Sequence, residues 1–184
     1  MHGVGYEIFQ ALMDKLGRYE NEDYLVVDEQ KNPDPAFPTV SFPNPEEKGA
    51  LDLSMELAKK HKIRLVVAND PDADRFSVAS ATSNKDVESF HSSEDQGVSY
   101  SQLNGNEIGY LFAYYEFCEN HSKLANGQDG SKKFQIGMLN STVSSSLIKY
   151  MAEKEGFVYQ ETLTGFKWIG NKAMELEKNN PGLV

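Results

Sequence analysis

Apolar residues recur along this chain at two spacings, and the switches between those spacings lay out its elements. Over residues 4–17, Ile8, Phe9, Leu12, Met13 and Leu16 fall on one helical stripe, and Gly17 stands where a helix would stop. Tyr24-Leu25-Val26-Val27 predicts a short strand. Five of the seven prolines follow, at positions 33, 35, 38, 43 and 45. Proline on that scale excludes helix and central strand. The interleaved Phe37, Val40 and Phe42 predict an ordered, extended loop packed on a surface rather than a linker. Asn44-Pro45-Glu46-Glu47 carries a cap, a first-turn proline and two acids, so a helix is expected from there to about Lys60, with Leu51, Met55 and Ala58 on its inner face.

Strands are expected at 63–68 and 76–81, on either side of an acidic loop. Residues 82–99 are polar and irregular, with an edge strand expected at Val87–Phe90. A helix opens near Leu103-Asn104-Gly105, with Ile108, Leu111, Phe112 and Tyr115 as its inner stripe. Residues 120–133 lose all apolar periodicity and mark a boundary or mobile loop. The pattern then restarts. Phe134–Leu139 reads as a strand, and Ser141-Thr142 caps a helix bearing Val143, Leu147, Ile148 and Met151 up to Gly156. Phe157–Glu161 is a further strand, followed by a helix-entry turn at Thr164-Gly165. Strands alternating with helices predict an α/β fold in three layers, a mixed sheet with helices on both faces, followed by the start of a similar unit. The expected division is 1–126 and 127–184.

The loop is Asn69-Asp70-Pro71-Asp72-Ala73-Asp74-Arg75, with a carboxylate at every second position. In extended backbone such residues point the same way, and Pro71 favours extension at Asp70. Two like charges 4 Å apart repel by roughly 4 kcal/mol at an effective dielectric of 20. A hard cation relieves that repulsion, and an all-oxygen site suits Mg²⁺, Mn²⁺ or Ca²⁺. Arg75 adds a planar donor fork that matches phosphate oxygens. A solvated acidic turn is the plain alternative. An EF-hand is excluded: its sixth position is Arg75 instead of Gly, its twelfth is Ala81 instead of Glu, and its flanks are strand-like.

The chain has 184 residues, with 18 Lys and Arg against 28 Asp and Glu, a net charge of −10. That balance argues against nucleic acid and against anionic membrane surfaces as partners. One cysteine, Cys118, permits no internal disulfide and no cysteine zinc site, and the cytoplasm is the expected compartment. The histidines His2, His61, His91 and His121 are not paired at ligand spacing. His2, beside Gly3 and Gly5, is as well suited to a structural role as to a functional one.

Several stretches together resemble the α-D-phosphohexomutase superfamily, which includes phosphoglucomutase and phosphomannomutase. Asp70-Pro71-Asp72-Ala73-Asp74-Arg75 is similar to its magnesium loop. Met1-His2-Gly3-Val4-Gly5 resembles the end of the segment that opens its second domain, and Thr164-Gly165-Phe166-Lys167 with Gly170-Asn171 resembles the sugar-phosphate-facing loop of its third. Phe37-Pro38-Thr39-Val40, Phe42-Pro43-Asn44-Pro45-Glu46-Glu47 and Glu161–Trp168 are most similar to the eukaryotic phosphopentomutase and glucose-1,6-bisphosphate synthase branch. The resemblance implies an intramolecular phosphotransferase working through a phosphoserine and a sugar bisphosphate. It implies Asp70, Asp72 and Asp74 as Mg²⁺ ligands, Arg75 as the catalytic residue that steadies the transferring phosphoryl group, and Thr164, Gly165 and Lys167 as substrate-binding residues. The implied partners are a hexose or pentose phosphate and the remaining domains of a parent enzyme. A phosphoserine loop of the Thr-Ala-Ser-His-Asn-Pro type is not in this sequence, so the chain is expected to be a second domain with part of a third, inactive alone. A non-catalytic module that binds sugar phosphate or a partner is the alternative. A phosphatase of the Asp-x-Asp-x-Thr/Val type is disfavoured, because Asp74 stands where Thr or Val belongs.

Overall fold

The computed structural model describes residues 1–82, 98–125 and 135–183, with helix backbone only at 121–125. The expected edge strand at Val87–Phe90 lies outside the described residues. The chain is α/β, in two compact units, Met1–Asn104 and Gly105–Val184. The division falls before the helix at Gly105, earlier than the loop composition at 120–133 suggested.

The first unit holds α1 (Gly5–Lys15), α2 (Asp28–Lys31), α3 (Asp52–Lys60), β1 (Leu65–Asn69), β2 (Phe76–Thr82) and β3 (Ser99–Leu103). Its three strands form an antiparallel meander in the order β1-β2-β3. Alternation along β2 buries Ser77, Ala79 and Ala81 on one face. Against that face pack Leu51 and Ala58, with Val66 from β1 and partly buried Val40, Met55, Ile63 and Tyr100 around them. Gln102 on β3 donates to the Pro45 carbonyl at 2.7 Å and to Ser77 Oγ at 2.8 Å, tying the proline-rich segment to the sheet.

Three expectations for this unit change. Tyr24–Val27 is no strand: Tyr24 makes one isolated bridge to Glu20, and residues 25–27 pair with no strand among the described residues before α2 begins. The helix expected from Asn44 begins only at Asp52. The Asn44 side chain accepts from the Glu46 N–H at 3.2 Å, closing a local turn, and Gly49 then takes φ +86°, which a helix cannot contain. The proline-rich segment is ordered, but by successive turns (Phe37 N to Asp34 O, Val40 N to Phe37 O) rather than by extension, and Phe42 is exposed. The stripe on α1 divides. Phe9 stacks edge-on against Tyr24 at 5.2 Å, while Ile8, Leu12 and Leu16 face outward.

The second unit holds α4 (Gly105–Ala125), β4 (Gly137–Ser141), α5 (Leu147–Glu155), β5 (Val158–Thr162) and α6 (Phe166–Asn179). β4 and β5 are parallel, which requires a crossover, and α5 supplies it. Gly156 ends α5 in the left-handed conformation, as expected. The helix starts at Leu147 rather than just after Ser141-Thr142, because residues 142–146 turn first. Val143 is therefore outside it and 76% exposed. Phe117, Ile136, Ala152 and Phe157 form the core, with the Phe117 and Phe157 rings 5.5 Å apart. On α4 it is Phe117 that is buried, and Leu111, Phe112 and Tyr115 of the expected inner stripe are exposed. No described helix is long and apolar enough to cross a membrane.

One polar cluster ties α1 to α2. Lys31 Nζ reaches both Glu20 oxygens, at 2.9 and 3.1 Å, Tyr6 Oη donates to Glu20, and the Lys31 ammonium sits 4.5 Å over the Tyr6 ring. The Tyr6 hydroxyl first, and then Lys31, hold the Glu20 carboxyl below its ordinary value of 4.5. A carboxyl depressed by folding contributes stability that is complete above its unfolded pKa and is lost as the pH falls through the folded one. Glu20→Gln is therefore expected to melt below the unaltered chain at pH 7, and the gap is expected to close as the pH falls below 4.5. Thermal melts across that range check this.

Candidate metal centre

The acidic loop is the turn of the β1–β2 hairpin. The last ladder pair is Asn69 with Phe76, so residues 70–75 make the connection. The loop is not extended, as the alternation had predicted. Ala73 N–H donates to the Asp70 carbonyl at 3.1 Å, and Ala73 takes φ +61°, so the chain folds back on itself. Arg75 N–H donates to Asp70 Oδ1 at 3.0 Å, and the Asn69 side-chain amide donates to the Arg75 carbonyl at 2.8 Å, closing the turn at both ends. Tight folding thus brings the carboxylates together where pleat geometry was expected to do so. Asp70, Asp72 and Asp74 each present an oxygen within 4.8 Å of the others.

The three acids differ. Asp70 is 4% exposed, and Asp72 and Asp74 are open to solvent. Burial opposes ionisation of Asp70, but the Arg75 N–H and contacts with Asp74 and Asp72 outweigh it and leave its pKa below the ordinary carboxylate value. Asp74 moves the other way: a hydrogen bond with Asp70, then the charge of Asp72, push its pKa up. A proton shared by this pair therefore rests on Asp74 rather than on Asp70. The Arg75 guanidinium leans over it, with Nε 3.6 Å from Asp70 Oδ2 and 3.9 Å from Asp74 Oδ1. These are ion-pair distances, too long for hydrogen bonds. One fixed, buried carboxylate and two exposed ones make an oxygen-only donor set with an open side, and that set fits a hard divalent cation.

The back of the loop rests on the first residues of the chain. The Met1 ammonium donates to the Asn69 carbonyl at 2.9 Å, and Val4 N–H donates to the Pro71 carbonyl at 2.8 Å. A Cβ on Gly3 would lie 2.1 Å from the Pro71 oxygen. The sequence left the role of this stretch open between structure and function, and the close approach here is made by the loop's own backbone. His2 is buried with φ +49°. Its N–H donates to Gln30 O at 2.7 Å, its carbonyl accepts from Asp34 N–H at 3.2 Å, and Nε2 lies 2.6 Å from Thr39 Oγ1. His2 therefore fastens this support to the proline-rich segment. Gly3 and the Asn69 amide are the supporting residues that sequence reading passed over. The Gly3/Gly5 pair was the available signal for the first.

Thr164, Gly165 and Lys167 belong to the second unit. They lie together, exposed, where β5 runs out and α6 begins. Gly165 occupies the position before the helix with φ +121°, and no side chain caps it, so Thr164 is left without the capping role it could have had. The turn stands at the carboxyl end of a parallel strand pair, where open α/β sheets place ligands. At the same end, Thr142 N–H donates to the Thr162 carbonyl at 2.9 Å, and Ser141 and Ser144 hydroxyls are 2.9 Å apart.

Comparison with known proteins accounts for both units. Residues 1–85 match the family model described as "Phosphoglucomutase/phosphomannomutase, alpha/beta/alpha domain II", and residues 104–182 match that for domain III. The phosphoribomutase of Saccharomyces cerevisiae is 57% identical over 183 residues, covering 97% of this chain and 26% of its own. The phosphopentomutase of Homo sapiens is 45% identical over 177 residues, 96% of this chain and 26% of its own. The human glucose 1,6-bisphosphate synthase is 39% identical over 180 residues, 97% of this chain and 26% of its own. The chain spans about a quarter of the length of these relatives. With both units matched in order and the acidic hairpin inside the first match, the chain belongs to the phosphoglucomutase/phosphomannomutase family, as its domains II and III.

Proposed function

We propose that this chain supplies the metal loop and part of the substrate surface of a Mg²⁺-dependent phosphosugar mutase. Such an enzyme moves a phosphoryl group between positions of a hexose or pentose phosphate through a phosphoserine and a sugar bisphosphate. The observation that carries the reading is the hairpin itself, three carboxylates within 4.8 Å beneath one guanidinium. Asp70, Asp72 and Asp74 hold Mg²⁺. Phosphoryl transfer depends on positioning and on neutralising oxygen charge, and the bound ion supplies Lewis-acid stabilisation. Arg75, half exposed and tethered to Asp70 through its backbone, is free to turn its fork towards a phosphoryl group. Thr164, Gly165 and Lys167 offer a hydroxyl, a backbone N–H and a cation to a sugar phosphate. The relatives' names favour pentose or glucose phosphates. The setting is cytoplasmic, and the remaining domains of the enzyme are the partners.

The nucleophile in this reading is a serine outside these 184 residues, so the chain alone does not turn over. In an assay with ribose 1-phosphate or glucose 1-phosphate and a bisphosphate activator, turnover by the chain that is abolished in Asp72→Asn would overturn that part of the reading. Binding tests the rest. Calorimetric titration is expected to give one Mg²⁺ or Mn²⁺ per chain, weakened about tenfold or more in Asp72→Asn, since affinity in such sites follows ligand charge. Asp72 is exposed, so its loss leaves the fold intact, and unchanged metal affinity would sink the assignment.

Support from behind the loop predicts a second pair of variants. Gly3→Ala forces a methyl into the Pro71 backbone and is expected to lose about 1–3 kcal/mol of stability, as overpacking does, together with metal affinity. Gly109→Ala, which meets nothing within 4 Å on an exposed helix, is expected to lose neither. Denaturant melts and metal titration of both check the difference.

A further inference from the structure

Arg75 stands where the acidic loop passes into β2, and its two ends are held differently. Its backbone N–H donates to Asp70 Oδ1 at 3.0 Å, and its carbonyl accepts from the Asn69 side-chain amide at 2.8 Å, so the main chain is fixed. The guanidinium is held by charge alone. Nε lies 3.6 Å from Asp70 Oδ2 and 3.9 Å from Asp74 Oδ1, and the side chain is half exposed. At those distances a cation stays near the carboxylates without the directed hydrogen bonds that would fix its orientation. Asp70 and Asp74 are also two of the three carboxylates in the oxygen-only donor set. Guanidinium and metal ion therefore draw on the same negative charge.

On the reading of Asp70, Asp72 and Asp74 as metal ligands, on which this rests, we propose that Arg75 is an exchangeable counter-cation of the acidic loop, and that its exchange onto a phosphate couples metal binding to phosphate binding. A guanidinium keeps its charge at every working pH, so it leaves the carboxylates only by moving. A phosphate offers its planar fork two parallel, charge-assisted bonds, which Asp70 and Asp74 do not accept from it at 3.6 and 3.9 Å. The fork turns to a phosphate that comes within reach, and the bonds to Asp70 Oδ1 and the Asn69 amide keep the hairpin closed while it turns. Asp70 and Asp74 are then left with uncompensated charge. Their hold on a divalent cation tightens, because affinity in oxygen-ligand sites follows the charge of the ligand set. Linkage makes the effect reciprocal, so the cation raises phosphate affinity by the same factor. Direct attraction between cation and phosphate adds to this coupling but needs no Arg75, so substitution separates the two contributions.

Calorimetric titration of Mn²⁺ into the full chain, without and with inorganic phosphate at constant ionic strength, tests this, and paramagnetic resonance of the free ion gives a second readout. Without phosphate, Arg75→Gln is expected to bind Mn²⁺ about three- to tenfold more tightly than the unaltered chain, the range reflecting solvent screening. Arg75→Lys keeps the charge and is expected to stay within about twofold of the unaltered chain. Phosphate is expected to tighten Mn²⁺ binding to the unaltered chain by about fivefold or more, and by clearly less in Arg75→Gln. The bonds that residue 75 makes to close the hairpin are main-chain bonds, so both variants retain them. Mn²⁺ affinity in Arg75→Gln no higher than in the unaltered chain, or a phosphate effect that survives the substitution in full, overturns the proposal. The metal-ligand reading fails separately, through an Asp72→Asn variant that keeps its Mn²⁺ affinity, and a chain that binds no Mn²⁺ in any form overturns both.

Discussion

Mutual repulsion among Asp70, Asp72 and Asp74 is the constraint on which the rest of the first unit depends. Carboxylates within 4.8 Å of one another push apart unless the backbone that carries them is fixed or a cation lies between them. Fixing the backbone is the work of several bonds that surround the turn. Asn69 and Arg75 clamp its ends, Ala73 N–H closes its middle, and Met1 and Val4 hold it from behind. Asp70 is the pivot, since one of its oxygens is committed to the Arg75 N–H while its burial keeps it still. A hydrogen bond with Asp70 and then the charge of Asp72 raise the pKa of Asp74, and a cation placed among the three would oppose that rise.

This arrangement explains why the support is built from Gly3 and His2. The backbone of residue 3 passes the Pro71 backbone so closely that no side chain fits, and the residue before it must turn with positive φ. His2 accepts that conformation and is held in it by Gln30, Asp34 and Thr39, with Phe37 against its ring at 6.3 Å. The buried His2 thereby ties the proline-rich segment to the support of the acidic loop. Its fixed turns limit how far that residue can move.

How much of this the sequence disclosed depended on whether the cause was local. The acidic hairpin was legible because a strand-like run flanks it on each side and because its three carboxylates alternate and end at Arg75. The means of convergence was misread, since the extended alternation of Asp70, Asp72 and Asp74 is overridden by a left-handed Ala73, a residue type that gives no warning of it. Glycine stops were legible at Gly156 for the same local reason that they work. Tyr24–Val27 failed because strand formation needs a partner, which lies elsewhere in the chain and cannot be read from four apolar residues. β3, Ser-Tyr-Ser-Gln-Leu, was passed over for the opposite reason: it is polar on its open side and becomes a strand because β2 offers it a ladder.

The buried face of the meander also limits where chemistry can occur in the first unit. Ser77, Ala79 and Ala81 place only small side chains between β2 and the Leu51–Ala58 layer. Space is found at the two ends of β1's open side instead, beside its edge and beyond its carboxyl end. Both meet at Asn69, whose carbonyl takes the Met1 ammonium and whose amide holds Arg75.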